Sequence, residues 1–141
     1  MNATLLYRVA AFILVLFAAG HTFGFLSFRP PSAEGIAVFD SMTRVHFAVD
    51  GGTYTYAGFY SGFGLMVTAY MLFSAILAWH LGAAARRRPR TVVALAWSFA
   101  AVQFACFVLS ARYFFLVPIL FSAAVVVLLV WAAWLVRKAA G

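Results

Sequence analysis

Charge is scarce in this chain. Only 9% of its residues are Asp, Glu, Lys or Arg, where soluble domains carry about 25%. A chain this poor in charge cannot cover a globule with polar surface, so a soluble domain is excluded at the outset. Acids are rarer still: Glu34, Asp40 and Asp50 are all there are, and none falls in a long apolar run. The single cysteine, Cys106, excludes an intramolecular disulfide and reads as a small buried hydrophobe. There is no internal repeat and no low-complexity segment. What the chain has instead is hydrophobicity, 67% of its 141 residues, with a mean hydropathy of +1.03.

The apolar residues fall in four runs, at about Val9–Phe28, Ala57–Trp79, Thr91–Leu109 and Phe115–Val136. About 20 apolar residues in a helix cross a hydrocarbon core of about 30 Å. The expected fold is therefore all-α, an integral membrane four-helix bundle forming one membrane domain over 1–141. Arg8, Val9–Leu16 and Phe17-Ala18-Ala19-Gly20 have the layout of a signal peptide. The apolar character continues through Phe28, which favours a retained first span. Ser110–Phe114 is a link short enough to make spans three and four an antiparallel hairpin. Pro118 falls near the first turn of span four, where its missing N–H costs little.

The net charge of +7 does not indicate nucleic acid, because the basic residues flank the spans and build no face on a soluble domain. They set orientation instead. One side holds Arg8, Arg86, Arg87, Arg88, Arg90, Arg137 and Lys138; the other holds Arg29, Arg44, Arg112 and all three acids. Basic residues stay cytoplasmic. Both termini are thus expected in the cytoplasm of a bacterial cell, with the chain in the inner membrane and Arg86–Arg90 near anionic lipid.

The long connection, Arg29–Tyr56, is where polar chemistry can sit. At helical spacing, Ile36–Asp50 places Val38, Phe39, Met42, Val45 and Val49 on one face and Asp40, Ser41 and Arg44 opposite. This predicts an amphipathic helix over 36–50 in the first extracytoplasmic loop, with Gly51-Gly52 as its stop and Asp40 paired with Arg44. His46 and Asp50 then lie four apart within the apolar arc, where they either cap each other or line a pocket. His21 sits inside span one near the same side, and an intramembrane histidine is a functional candidate by default. Gly20 with Gly24, and Gly58 with Gly62, have the spacing of a close helix–helix contact between spans one and two. Tyr54, Tyr56 and Tyr60, interleaved with Phe59 and Phe63, suit an interfacial belt or the mouth of a pocket. Gln103, the strongest polar side chain in span three, calls for a partner on another helix. His80 lies at the opposite end from His21, so the two cannot share a haem. His21, His46 and one carboxylate could form a facial metal set, but their spacing matches no known site, and neither metal nor cofactor is expected.

The runs Gly20-His21-Thr22-Phe23-Gly24-Phe25, Asp50-Gly51-Gly52 and Gly58-Phe59-Tyr60-Ser61-Gly62-Phe63-Gly64 resemble a group of small four-helix bacterial membrane proteins. The resemblance would cover most of the chain and implies fold and membrane location, with no activity attached. A second likeness, architectural only, is to the sterol isomerase and sigma-2 receptor group. Those proteins place carboxylates within their helices and this chain has none there, which counts against sterol isomerisation.

Three functions follow as expectations. The first is binding of an apolar lipid or quinone-like molecule without catalysis. Phe23, Phe25, Phe39, Tyr56, Tyr60, Phe63 and Gln103 would be its contacts, and His21, His46 and Asp50 its polar anchors. The second is a membrane enzyme doing acid–base chemistry on a lipid-like substrate, with His46 as base, Asp50 holding its tautomer and His21 as the other proton group. The third is an accessory subunit of a larger membrane complex or a homo-oligomer. Transport fits less well, since no span is broken by an internal charged pair.

Overall fold

The computed structural model describes residues 2–141. Five helices and one hairpin are found among them: α1 (Ala3–Ser27), α2 (Ala33–Arg44), β1 (His46–Val49), β2 (Gly52–Thr55), α3 (Tyr56–Arg87), α4 (Pro89–Tyr113) and α5 (Leu116–Ala140). The helices α1, α3, α4 and α5 are each long and apolar enough to cross a membrane. At 1.5 Å per residue, the 25 residues of α1 reach about 38 Å, more than a hydrocarbon core of about 30 Å. Large apolar side chains line their outer faces: Phe12, Phe73, Val127 and Trp134 are half or more exposed. In water such a surface would aggregate, and against acyl chains it costs nothing.

The chain divides into two compact units, one of Met1–Ala18 with Met71–Gly141 and one of Ala19–Tyr70. In the first, the core is a stack of helix faces repeating every three to four residues. It takes Leu6, Ala10 and Leu14 from α1, Ala78, Leu81 and Ala85 from α3, Ala96, Phe99 and Ala100 from α4, and Leu129, Ala132, Ala133 and Val136 from α5. In lipid there would be no hydrophobic drive between such helices, and close packing of small residues would have to carry the association. Polar ties supplement it. The Thr4 hydroxyl donates to the Gly82 carbonyl at 2.8 Å, and the Gln103 amide donates to the buried Ser74 hydroxyl at 3.1 Å. Gln103 thus has its interhelical partner. Pro89 opens α4 at its first turn, and the Ser122 hydroxyl folds back onto the Pro118 carbonyl at 2.7 Å.

The second unit departs from expectation. Its helix covers Ala33–Arg44 rather than 36–50. Ser32 caps it, its hydroxyl accepting from the Gly35 N–H at 3.0 Å. Beyond Arg44 the chain turns extended at Val45 and pairs as an antiparallel hairpin, His46 opposite Thr55 and Val49 opposite Gly52. Two forces override the helical spacing. Val45, Val49, Thr53, Tyr54 and Thr55 favour strand. Asp50 and Gly51, with φ of 50° and 77°, form the tight two-residue turn that needs left-handed backbone at both positions. The helical proximity expected for His46 and Asp50 is thereby corrected: one lies in a strand, the other in the turn. The expected side-chain pairing of Asp40 with Arg44 is replaced by a backbone contact, the Arg44 Nε donating to the Asp40 carbonyl at 3.4 Å.

The close approach of α1 to α3 in the first unit is at Gly82, where an added Cβ would lie 3.1 Å from the Tyr7 Cβ and 3.3 Å from the Thr4 carbonyl oxygen. Gly82→Leu should therefore overpack this contact and lower the unfolding free energy in a denaturing-detergent titration by roughly 1–3 kcal/mol. An unchanged midpoint would show that the two helices part there without cost.

Candidate functional site

The second unit brings three elements around one cleft of about 290 Å³. The end of α1 and the residues after it supply Phe25, Leu26, Phe28, Arg29 and Pro30. The helix α2 supplies Gly35, Val38, Phe39 and Met42, and the start of α3 supplies Ala57, Tyr60 and Ser61. Apolar and aromatic walls dominate. The polar groups are the Tyr60 and Ser61 hydroxyls and the Arg29 guanidinium, which lies 5.9 Å from the Phe39 ring centre. One Arg29 N–H is occupied by the Phe28 carbonyl at 2.9 Å.

Behind this cleft stands a polar joint. The ring of His21 approaches the Gly64 carbonyl with Nε2 at 3.1 Å. A carbonyl only accepts, so Nε2 carries the proton and a neutral ring keeps Nδ1 as an acceptor. The Thr68 hydroxyl reaches the same carbonyl at 3.3 Å and lies 2.8 Å from the Thr22 hydroxyl. His21 and Phe25, one turn apart on α1, stack with centroids 5.8 Å apart and planes 5° from parallel. The Phe25 ring lies over Gly64, where an added Cβ would come within 2.6 Å of it, and then meets Tyr60 at 5.5 Å. His21 thus positions the wall residue Phe25 rather than lining the cleft itself.

The remaining sequence candidates separate. Phe25, Phe39 and Tyr60 meet at the cleft. Tyr56 lies on a shallower groove of about 350 Å³ formed with Val38, Ser41, Met42 and Val45. Phe23 is 76% exposed. Phe63 belongs to an aromatic ladder in which Phe47 packs on Tyr54, Tyr56 and Phe59, and Phe59 on Phe63. This ladder docks the hairpin onto α3. Gln103 is bonded to Ser74 in the other unit. The exposed His46 gives its Nδ1–H to the Arg44 carbonyl at 2.8 Å, and Asp50 is exposed at the hairpin turn. Among the described residues no three His, Cys, Asp or Glu come close enough to hold a metal.

Sequence reasoning placed the glycine contact at Gly20, Gly24, Gly58 and Gly62. At Gly20, Gly24 and Gly62 an added Cβ would meet nothing within 4 Å, and at Gly58 only the neighbouring Thr55 hydroxyl. The contact is at Gly64. The signal that could have found it is the i, i+4 pair His21 and Phe25, which needs a partner bare of side chain. Comparison with family models, with curated proteins and with solved structures finds no match to the chain.

His21→Ala should cost about 1 kcal/mol of unfolding free energy by removing one donor to the Gly64 carbonyl. Gly64→Ala should cost roughly 1–3 kcal/mol by driving the Phe25 ring aside. Both act through Phe25, so the double variant should lose less than the two losses added. Additivity within about 0.3 kcal/mol would show that they share no contact.

Proposed function

We propose that this is a small multi-pass protein of the bacterial inner membrane, termini in the cytoplasm, that holds an apolar molecule of lipid or quinone type without transforming it. The observation that carries the reading is the cleft walled by Phe25, Phe39, Met42 and Tyr60. Its volume lies near the lower end of the usual ligand-site range of about 300–1,000 Å³. That suits one ring or one short acyl stretch rather than a whole two-chain lipid. A ligand already dissolved in a bilayer gains no hydrophobic energy by entering it. Discrimination then rests on aromatic packing and on the polar groups of Tyr60, Ser61 and Arg29.

The membrane assignment rests on the four apolar helices, and the orientation on the basic residues at the ends of α3 and α5. The runs Gly20–Phe25 and Gly58–Gly64 support kinship with small four-helix bacterial membrane proteins. Recognition is favoured over proton transfer because His46 spends its Nδ1–H on a backbone carbonyl and Asp50 serves a turn. A role as accessory subunit is compatible with the same cleft, whose occupant would then be shared with a partner.

The test is mass spectrometry of organic extracts from the purified chain, wild type against Ala57→Trp, whose indole would fill the cleft. One apolar species near one per chain is expected with wild type and should be lost in the variant. Identical extracts from both would remove the cleft as a binding site.

A further inference from the structure

The charge of the chain is sorted between its two units. Ala19–Tyr70 holds all three acids, with Arg29 and Arg44; the other unit holds the remaining eight Lys and Arg and no Asp or Glu. Six of those eight gather where three helix ends meet. Arg86 and Arg87 close α3, Arg88 is the single residue between α3 and α4, Arg90 lies in the first turn of α4, and Arg137 with Lys138 closes α5. The Arg90 Nε donates to the Ala140 carbonyl at 2.8 Å, which ties the end of α5 to the start of α4. All six side chains are exposed.

This arrangement is locally unfavourable. Cations in the last turns of α3 and α5 suit the helix dipole, but Arg88 and Arg90 sit at the positive end of α4, which has no acid in its first turn and no side-chain cap. Like charges are crowded together, and no Asp or Glu of the same unit offsets them. Within this unit no acidic side chain balances the cluster, which leaves it open to an anionic ligand. Its depth is marked by two cation–aromatic pairs in the same unit, Arg8 at 4.9 Å from the Trp79 ring centre and Lys138 at 5.6 Å from that of Trp134. Tryptophan favours the headgroup level of a bilayer.

We propose that this surface binds the headgroups of anionic phospholipids, with the guanidinium groups of Arg86–Arg88 and Arg90 forking onto phosphate oxygens. Arg pairs with phosphate through two parallel N–H donors, and four such groups beside membrane-crossing helices lie where lipid phosphates lie. An acidic protein segment would satisfy the same charge, but the flanking tryptophans place the cluster in the lipid layer. The proposal does not depend on the cleft of the other unit.

The test uses the full chain in mixed micelles with equal amounts of phosphatidylglycerol and phosphatidylcholine, and measures lipid retained after purification. Wild type should be enriched in phosphatidylglycerol at least tenfold, since each cation near a membrane surface multiplies affinity about fivefold. The enrichment should vanish in Arg86→Gln/Arg87→Gln/Arg88→Gln/Arg90→Gln and fall severalfold in Arg137→Gln/Lys138→Gln. It should persist in Arg44→Gln/Arg112→Gln. With wild type alone, raising salt from ~0.05 to ~0.5 M should weaken it by screening. Equal retention of the two lipids by wild type, or an enrichment indifferent to salt and to the first two variants, would overturn the proposal.

Discussion

A side-chain donor on α1 meeting a glycine carbonyl on α3 is the contact on which much else depends. It occurs once in each unit, Thr4 onto Gly82 and His21 onto Gly64. A helical carbonyl keeps a second lone pair after its own ladder bond, but a side chain at the same residue usually shields it. Glycine removes that shield and lets a neighbouring helix approach. In lipid the reward is larger than the bond itself. Apolar surface does not hold helices together there, so close backbone approach and a few polar ties must. At Gly64 the arrangement also acquires a shape: the bare Cα receives the Phe25 ring, and that ring becomes one wall of the cleft.

The chain solves two different problems in its two units. The unit of Met1–Ala18 and Met71–Gly141 is a set of alanine-rich helix faces, closed by the Gln103–Ser74 bond, with bulky residues turned outward. The unit of Ala19–Tyr70 joins the end of α1 and the start of α3 with the short amphipathic α2 and the hairpin. It is stabilised by rings: the Phe47 ladder under the hairpin and the His21–Phe25–Tyr60 run beside the cleft. Rings packed edge-on and offset meet less closely than alanine faces do, and can leave a gap between them. A cleft in this second unit follows from what it is made of.

The four long helices were legible in the sequence because length and apolar content suffice to reveal them. Their ends ran further than the hydropathy suggested, with α3 continuing to Arg87 and α5 to Ala140. Apolar scoring stops at the first charges, while the backbone ladder continues through them. The loop was read less well. Val45, Phe47 and Val49 alternate as a strand does; on a helix Val45 and Val49 share an arc with Val38, Phe39 and Met42, but Phe47 falls about 200° from Val45, a mismatch outweighed in that reading by the longer helical pattern. Asp50-Gly51 was the discriminating signal, since that pair turns a hairpin more readily than it ends a helix. The misreading carried His46 and Asp50 into a pairing that the hairpin does not make. The interhelical partner of Gln103 was legible for a plain reason, that an amide inside an apolar span must find one, but its separation from the cleft residues was not.

His21 shows how a polar residue in an apolar helix can shape a cleft without lining it. Its Nε2–H is committed to the Gly64 carbonyl, and its ring face is committed to Phe25. Both contacts hold the Phe25 ring over Gly64, so the shape of one cleft wall is set one residue away from its lining. The position of His21 within an apolar helix is thus matched by a structural task, fixing an aromatic surface, which polar ties and close packing would have to do in lipid, where hydrophobic contact supplies no drive.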